Sequence, residues 1–310
     1  MCPFGDPNKE NQLKFAAKHD LDTDQWKVAM RKAARYCIWS IMEGGEPTSR
    51  RDFLELIQHL KNLRLPVTVV TNGSLLHTFE INMLIENIDS LCISIDSVHK
   101  DLYCKIRGVP AEQYQRVMDN LHMVAEYKMN RYVNAVITKW NTDEFITGEY
   151  FDHMYKEFGI PTITPTLVED RVGGLSFDSL SPDQETIREV AQGILNYTKS
   201  HDKPFIGVPP LYWKQIIDNG RPTFKECGVW KSLTIQADGA VRVPCWKLAV
   251  PTQQYNILQY DIDELWNMQE WDNLKGCHDC EYLACVWVSS QNVMTIFEQS
   301  RQAMAKTFKA

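Results

Sequence analysis

The sequence lacks any apolar run near the ~18–20 residues that a membrane-spanning helix needs. It also lacks a basic excess, since 33 Lys and Arg stand against 40 Asp and Glu and give a net charge of −7. Binding to phosphate backbones needs clustered Lys and Arg. We therefore expect neither nucleic acid nor a membrane as a partner. The N-terminus has no basic region followed by an apolar stretch, so we expect a cytoplasmic protein.

Internal repeats and low-complexity tracts are also missing. No glycine-rich loop precedes the lysine that phosphate-binding loops carry, which counts against a phosphate-binding barrel enzyme. With 310 residues, 44% of them hydrophobic, the chain can bury the core of one large domain, alone or with a small one.

Helix-like and strand-like segments alternate over the first half of the chain. Apolar spacing and β-branched runs predict five strands with helices between them. Such an alternation indicates parallel βαβ units with right-handed crossovers. Five strands are too few to close an eight-stranded barrel, so we expect an open α/β partial barrel. The predicted strands are 36–42, 67–71, 91–95, 131–138 and 162–167, and the helices are 24–36, 49–63, 77–87, 111–128 and 143–158.

Polar and glycine residues follow three of these strands at their carboxyl ends. Gly44, Gly45, Glu46 and Pro47 follow the first, Thr71-Asn72-Gly73 the second, and Ser94 with Asp96 the third. Because the carboxyl ends of parallel strands meet at one edge of a sheet, this repetition predicts one shared binding site.

Nine cysteines are distributed unevenly. Three are isolated in apolar segments and are expected to be small buried side chains. Five crowd into the last quarter, where two bracket an Asp238-Gly239 hairpin and two form a C-x-x-C turn. Four thiolates of this kind suit tetrahedral zinc or a [4Fe–4S] cluster equally well. The isolated residues are Cys37, Cys92 and Cys104, the four candidate ligands are Cys227, Cys245, Cys277 and Cys280, and Cys285 is surplus.

The strand-end motifs together resemble the radical S-adenosylmethionine (SAM) superfamily. In that family a C-x-x-x-C-x-x-C loop after the first strand holds a [4Fe–4S] cluster, and SAM binds the remaining iron. The opening Met1-Cys2-Pro3-Phe4 resembles the end of this motif, with Cys2 as its third cysteine. The resemblance implies a partial (β/α)6 TIM-like barrel whose first strand and first two cysteines lie upstream. The chain as written is then expected not to assemble the SAM-binding cluster.

The C-terminal cysteines and hairpin resemble the SPASM and twitch auxiliary domains of the same superfamily. The resemblance implies one auxiliary [4Fe–4S] cluster on Cys227, Cys245, Cys277 and Cys280, and it favours iron–sulfur over zinc. The implied organisation is a partial barrel over 1–200, a small iron–sulfur domain with the hairpin over 201–288, and a C-terminal helix over 289–310.

In the resembling family the reduced cluster cleaves SAM to a 5′-deoxyadenosyl radical, which abstracts hydrogen from the substrate. By resemblance, Gly44, Gly45, Glu46 and Pro47 would contact the amino group of SAM, and Ser94 and Asp96 its ribose. Arg107 would pair with the SAM carboxylate, or else form a surface salt bridge. Further candidates for the same pocket are Thr71, Asn72 and Asn134.

The expected reaction is oxidation or modification of a peptide or a small molecule, with flavodoxin or ferredoxin as the electron donor. The auxiliary cluster would accept an electron, bind substrate or act as a structural staple. The alternative is a non-catalytic zinc or iron–sulfur binding module built on a decayed barrel. Three tryptophans, Trp213, Trp230 and Trp246, would line a substrate cavity or belong to the core, and the core is favoured.

Overall fold

The computed structural model describes residues 20–168, 180–222, 231–242 and 255–267. The first part of the chain alternates between helices and strands, as the sequence predicts. Its elements are α1 (Thr23–Ala33), β1 (Ser40–Met42), α2 (Phe53–Asn62), β2 (Val67–Thr71), α3 (Ile81–Asn87), β3 (Ser90–Ser94), α4 (Lys100–Arg107), α5 (Ala111–Ala125), β4 (Arg131–Ile137), α6 (Thr142–Ile146), α7 (Glu149–Phe158) and β5 (Thr162–Leu167). The remaining elements are α8 (Gln184–Ser200), β6 (Phe205–Ile206), α9 (Pro210–Asn219), β7 (Thr234–Ile235), β8 (Val241–Arg242) and α10 (Ile262–Trp266).

Six parallel strands form one sheet in the order β1-β2-β3-β4-β5-β6. Each strand pairs with the next one along the chain, for example Ser94 with Asn134 and Asn134 with Thr164. Every crossover carries at least one helix, so all carboxyl ends lie at the same edge. The predicted α/β partial barrel is confirmed, and it contains one strand more than the five expected.

The main core lies between the sheet and the helices. Alternate strand residues face it, and on β4 these are Val133, Ala135 and Ile137, which are fully buried. The intervening residues Tyr132 and Asn134 therefore point to the opposite, inner face of the sheet. This alternation places polar side chains inside the partial barrel.

Several predicted boundaries differ from the structure. The helix expected from residue 49 begins at Phe53, because a 3₁₀ turn over Pro47–Ser49 comes first and is capped by the Glu46 side chain. The helix expected over 143–158 is divided at Gly148, which has φ +82° and lies against the Tyr197 ring. A Cβ at that glycine would come within 2.6 Å of the ring, so the site requires glycine.

The sheet continues past residue 200, where the sequence placed the end of the barrel. β6 pairs with β5 through Thr162–Phe205 and Ile163–Ile206. Ile206 and Trp213 join the main core, and Trp213 is 1% exposed. The expectation that Trp213 belongs to the core is confirmed.

A second, smaller core lies beside the hairpin. β7 and β8 pair antiparallel, and Gly239 in their turn has φ +82°, as the Asp-Gly signal predicts. Helix α1 contributes Ala29 to this core and Met30 to the main one. The other buried members of the small core are Leu21, Val241, Ile257, Ile262 and Leu265.

The predicted cluster ligands lie outside the described residues. These are Cys2, Cys227, Cys245, Cys277 and Cys280, together with the surplus Cys285 and the helix expected over 289–310. Across the described ranges, no helix combines the length and apolar character that crossing a bilayer requires.

Candidate functional site at the carboxyl edge of the sheet

The carboxylate of Glu46 joins the loops after β1 and β2. Its Oε1 accepts hydrogen bonds from the backbone N of Thr48 (3.1 Å), the Thr48 hydroxyl (2.5 Å) and the Thr71 hydroxyl (2.6 Å). Its Oε2 accepts one from the backbone N of Asn72 (2.7 Å). One half-buried side chain therefore fixes two neighbouring strand ends relative to each other.

Gly44 and Gly45 leave the backbone of the first loop open. Gly44 has φ +148°, which favours glycine, and a Cβ at either position would meet no atom within 4 Å. These glycines are therefore surrounded by space rather than packed, and a ligand can approach the main chain here.

In the loop after β2, polar side chains hydrogen-bond to the backbone of the same loop. The Thr71 hydroxyl accepts from the backbone N of Gly73 (3.0 Å), and Asn72 Oδ1 accepts from that of Ser74 (2.8 Å). Gly73 has φ +78°, and a Cβ there would lie 2.9 Å from Ile93 Cγ2. Thr71 and Asn72 thus shape the turn that presents Asn72 N to Glu46.

Asp96, after β3, is completely buried. Its Oδ1 accepts from the backbone N of Val136 (2.9 Å), and its Oδ2 lies 2.5 Å from Nε of Arg107. Burial lowers the pKa of Arg107, but the Asp96 carboxylate together with Tyr103 and Tyr150 outweighs this effect and the pKa is raised. The Asp96 side chain is 1% exposed and the Arg107 side chain 24% exposed, so this ion pair is more enclosed than a surface salt bridge.

Two further side chains, Asn141 and Glu144, hold the loop after β3 in place. Neither was predicted from the sequence. Asn141 Nδ2 donates to the backbone oxygens of Asp96 (2.5 Å) and Val136 (3.0 Å). The buried Glu144 carboxylate accepts from the Ser97 hydroxyl (2.6 Å) and the backbone N of Val98 (2.8 Å). Burial raises the pKa of Glu144. A signal was available, because Thr138 and Asn141 follow β4 much as Thr71 and Asn72 follow β2.

The inner face of the sheet carries a polar row across three strands. Ser94, Asn134 and Thr164 lie in register on β3, β4 and β5. Asn134 Oδ1 is buried and finds no hydrogen-bond partner within the described residues. A buried amide oxygen without a partner is costly, so this atom is suited to accept a donor from a ligand.

Cys92 lies on β3 two residues before Ser94. It is on the same face of the sheet and in register with Tyr132 of β4. Burial raises the pKa of its thiol to about 12, so it stays protonated at neutral pH. Cys37 is half-buried, and burial raises its pKa too. In the parts of the chain that the structure describes, no three His, Cys, Asp or Glu side chains gather to hold a metal ion.

Part of the chain matches a known protein family. Residues 2–147 match the sequence profile of the Radical SAM superfamily. The chain is 28% identical over 158 residues to the probable GTP 3′,8-cyclase of Thermococcus kodakarensis, covering 51% of this chain and 48% of that protein. It is 30% identical over 146 residues to the PqqA peptide cyclase of Rhizobium meliloti, covering 46% of this chain and 39% of the relative. The matched regions thus span half or less of these two relatives.

Solved structures share the fold. SuiB of Streptococcus suis bound to S-adenosylmethionine superposes with a TM-score of 0.65 at 17% identity, over 81% of this chain and 60% of that one. Native anSMEcpe with bound AdoMet and a peptide gives a TM-score of 0.62 at 15% identity, over 82% and 74%. The strand-end motifs at the edge of the sheet lie within residues 2–147, the part of the chain that matches the radical SAM superfamily.

Proposed function

We propose that the chain is the barrel of a radical SAM enzyme that binds SAM at the carboxyl edge of its sheet and modifies a peptide or a small molecule. The observation that carries this proposal is the convergence of polar groups at that edge. Glu46, Thr71, Ser94 and Asp96 belong to neighbouring strand ends, and the buried Asn134 Oδ1 beside them has no partner in the described part of the chain.

The residues present fit SAM by their chemistry. The open backbone of Gly44 and Gly45, with the Glu46 carboxylate and Pro47, would hold the amino group. Ser94 and Asn134 would hold the ribose through hydroxyl and amide groups, close to Asp96. Arg107 would hold the carboxylate with its terminal nitrogens, because its contact with Asp96 uses Nε.

The iron–sulfur ligands remain a proposal from the sequence. Cys2 would contribute to the SAM-binding cluster, and Cys227, Cys245, Cys277 and Cys280 would hold one auxiliary [4Fe–4S] cluster in a twitch-type domain. Where the SAM-binding cluster is complete and reduced, it and SAM would supply a 5′-deoxyadenosyl radical for hydrogen abstraction. A flavodoxin or ferredoxin would supply the electron.

The chain's own residues would position the ligand and keep its surroundings inert. The Asp96–Arg107 pair and the Asn141 amide hold the loop after β3 in one conformation. The buried, protonated Cys92 contributes no competing thiolate to the inner face.

The substrate class is supported by relatives of two kinds. One is a peptide cyclase, and among the solved neighbours SuiB is bound to the precursor peptide SuiA. Another is a probable GTP cyclase, which acts on a small molecule. The proposal therefore includes both a peptide and a small molecule as substrates.

Binding of SAM to the 310-residue chain tests the proposal directly. Calorimetry should detect SAM binding, and Glu46→Gln should weaken it about tenfold or more, since a hydrogen-bonded ionic contact is lost. The matched control is Glu55→Gln, because that exposed carboxylate pairs with Lys27 away from the site. Equal affinities for Glu46→Gln and the control would contradict the proposed site.

Metal analysis distinguishes the enzyme from its alternative, a non-catalytic module. Anaerobic reconstitution should give about four irons per auxiliary cluster, lost on substitution of Cys277 and Cys280. About one zinc instead would indicate a structural zinc module and remove the redox argument for that domain.

A further inference from the structure

The hydroxyl of Thr71 is fully used inside the protein. It is 2% exposed, its single proton goes to Glu46 Oε1 (2.6 Å), and its oxygen accepts the backbone N–H of Gly73 (3.0 Å). A hydroxyl has only one proton to donate. Thr71 therefore cannot give that proton to a ligand while it holds Glu46.

The two oxygens of Glu46 are loaded unequally. Oε1 accepts three hydrogen bonds, two from Thr48 and one from Thr71, whereas Oε2 accepts one from Asn72 N. A carboxylate offers about two acceptor sites on each oxygen. Oε1 is thus saturated by the protein, and Oε2 keeps capacity for one more donor.

Thr71 is in a position to orient the free acceptor site on Glu46 Oε2. It ends β2 and pairs with Ile93 of β3, so its backbone is held by the sheet. Charged hydrogen bonds are short and directional, so the contacts from Thr48, Thr71 and Asn72 N together fix the orientation of the Glu46 carboxylate. Loss of the Thr71 hydroxyl would leave the carboxylate held by Thr48 and Asn72 N, without the contact from the end of β2.

We infer that Thr71 is a positioning residue, which acts through Glu46 on the amino group of SAM and makes no contact with SAM itself. The inference rests on the proposed function and refines it, because Thr71 was grouped with the direct ligands from the sequence. It predicts that the effect of Thr71 is confined to the amino-acid end of the ligand.

Two ligands separate this role from a structural one. SAM carries the amino group, whereas 5′-methylthioadenosine has the same adenine and ribose without it. Thr71→Val keeps the shape of the side chain and removes the hydroxyl. It should weaken SAM binding about tenfold while changing the affinity for 5′-methylthioadenosine less than about twofold. Thr71→Ser restores the hydroxyl and should restore SAM affinity.

Thr68→Val is the matched control. Thr68 lies on the same strand and is equally buried, but its hydroxyl accepts from Trp39 Nε1 (2.9 Å) and does not reach Glu46. It should leave the SAM to 5′-methylthioadenosine affinity ratio unchanged. If Thr71→Val fails to fold, Thr71→Ala is measured in the same way.

A cycle with Glu46 completes the test. In a Glu46→Gln background, Thr71→Val should have little further effect on SAM binding. Equal weakening of both ligands by Thr71→Val, or full additivity with Glu46→Gln, would overturn the positioning role alone. Failure of the unaltered chain to bind SAM would overturn the proposed function, and the inference with it.

Discussion

The two halves of the carboxyl edge are joined by different chemistry. At the β1–β2 half, the half-buried Glu46 bridges two loops next to glycines whose backbone is open. At the β3–β4 half, Asp96, Asn141 and Glu144 are each no more than 2% exposed and bind neighbouring backbone and side chains. At the first half a loop backbone is open to a ligand, and at the second Asp96, Asn141 and Glu144 form a buried support for the loop after β3. Binding and stability should therefore respond to substitutions at different residues.

Removal of the buried charge at Asp96 should have the largest effect on stability. Asp96→Asn keeps an oxygen for Val136 N but leaves the partly buried Arg107 without its counter-charge. We expect a loss of about 3–5 kcal/mol in the free energy of unfolding, measured with urea. Glu46→Gln should cost only about 1–2 kcal/mol. Similar losses from the two variants would remove the distinction between the halves.

Asn141→Ala should come next. The amide makes four hydrogen bonds in a buried position: Nδ2 donates to Asp96 O and Val136 O, and Oδ1 accepts from the backbone N and hydroxyl of Thr138. Its removal should cost about 2–3 kcal/mol by urea denaturation. The control Asn196→Ala, at an exposed helical site, should stay within about 0.5 kcal/mol. If Asn141→Ala lowers the free energy of unfolding no more than the control does, the amide is not needed to stabilise these loops.

The smallest effect concerns pH. The pKa of Glu144 is raised in the folded chain by burial, from an ordinary value of 4.5. The folded state then holds this proton more tightly than the unfolded state, so the stability from Glu144 is complete below about pH 4 and is lost as pH rises through the raised pKa. The unfolding free energy of the wild type relative to Glu144→Gln should therefore fall over that window. A flat difference would show that Glu144 does not couple protonation to folding.

The sequence predicted the sheet well and the helix boundaries less well. The strand runs over 67–71 and 162–167 coincide with β2 and β5 because β-branched residues there match a paired strand. The helix start at Phe53 was missed because Pro47 and the Glu46 cap form a 3₁₀ turn first. The break at Gly148 depends on the Tyr197 ring, which is distant in sequence.

The site was predicted in outline. Residues at the strand ends were found because parallel strands bring their carboxyl ends together. The contacts between these residues and their partners were not predicted. Arg107 pairs with Asp96, and Asn141 and Glu144 bind the loop after β3, across separations of 11 to 47 positions that no local spacing records.

The sequence by itself determined the alternation of strands and helices and the polar character of each strand end, because periodicity and turn chemistry are local. Only the tertiary structure decided which polar groups are saturated and which remain free for a ligand. Glu46 and Asn134 show the reason: whether a buried oxygen has a partner depends on side chains from neighbouring strands. For this reason we infer that Thr71 positions Glu46, which would bind SAM, and does not bind SAM itself.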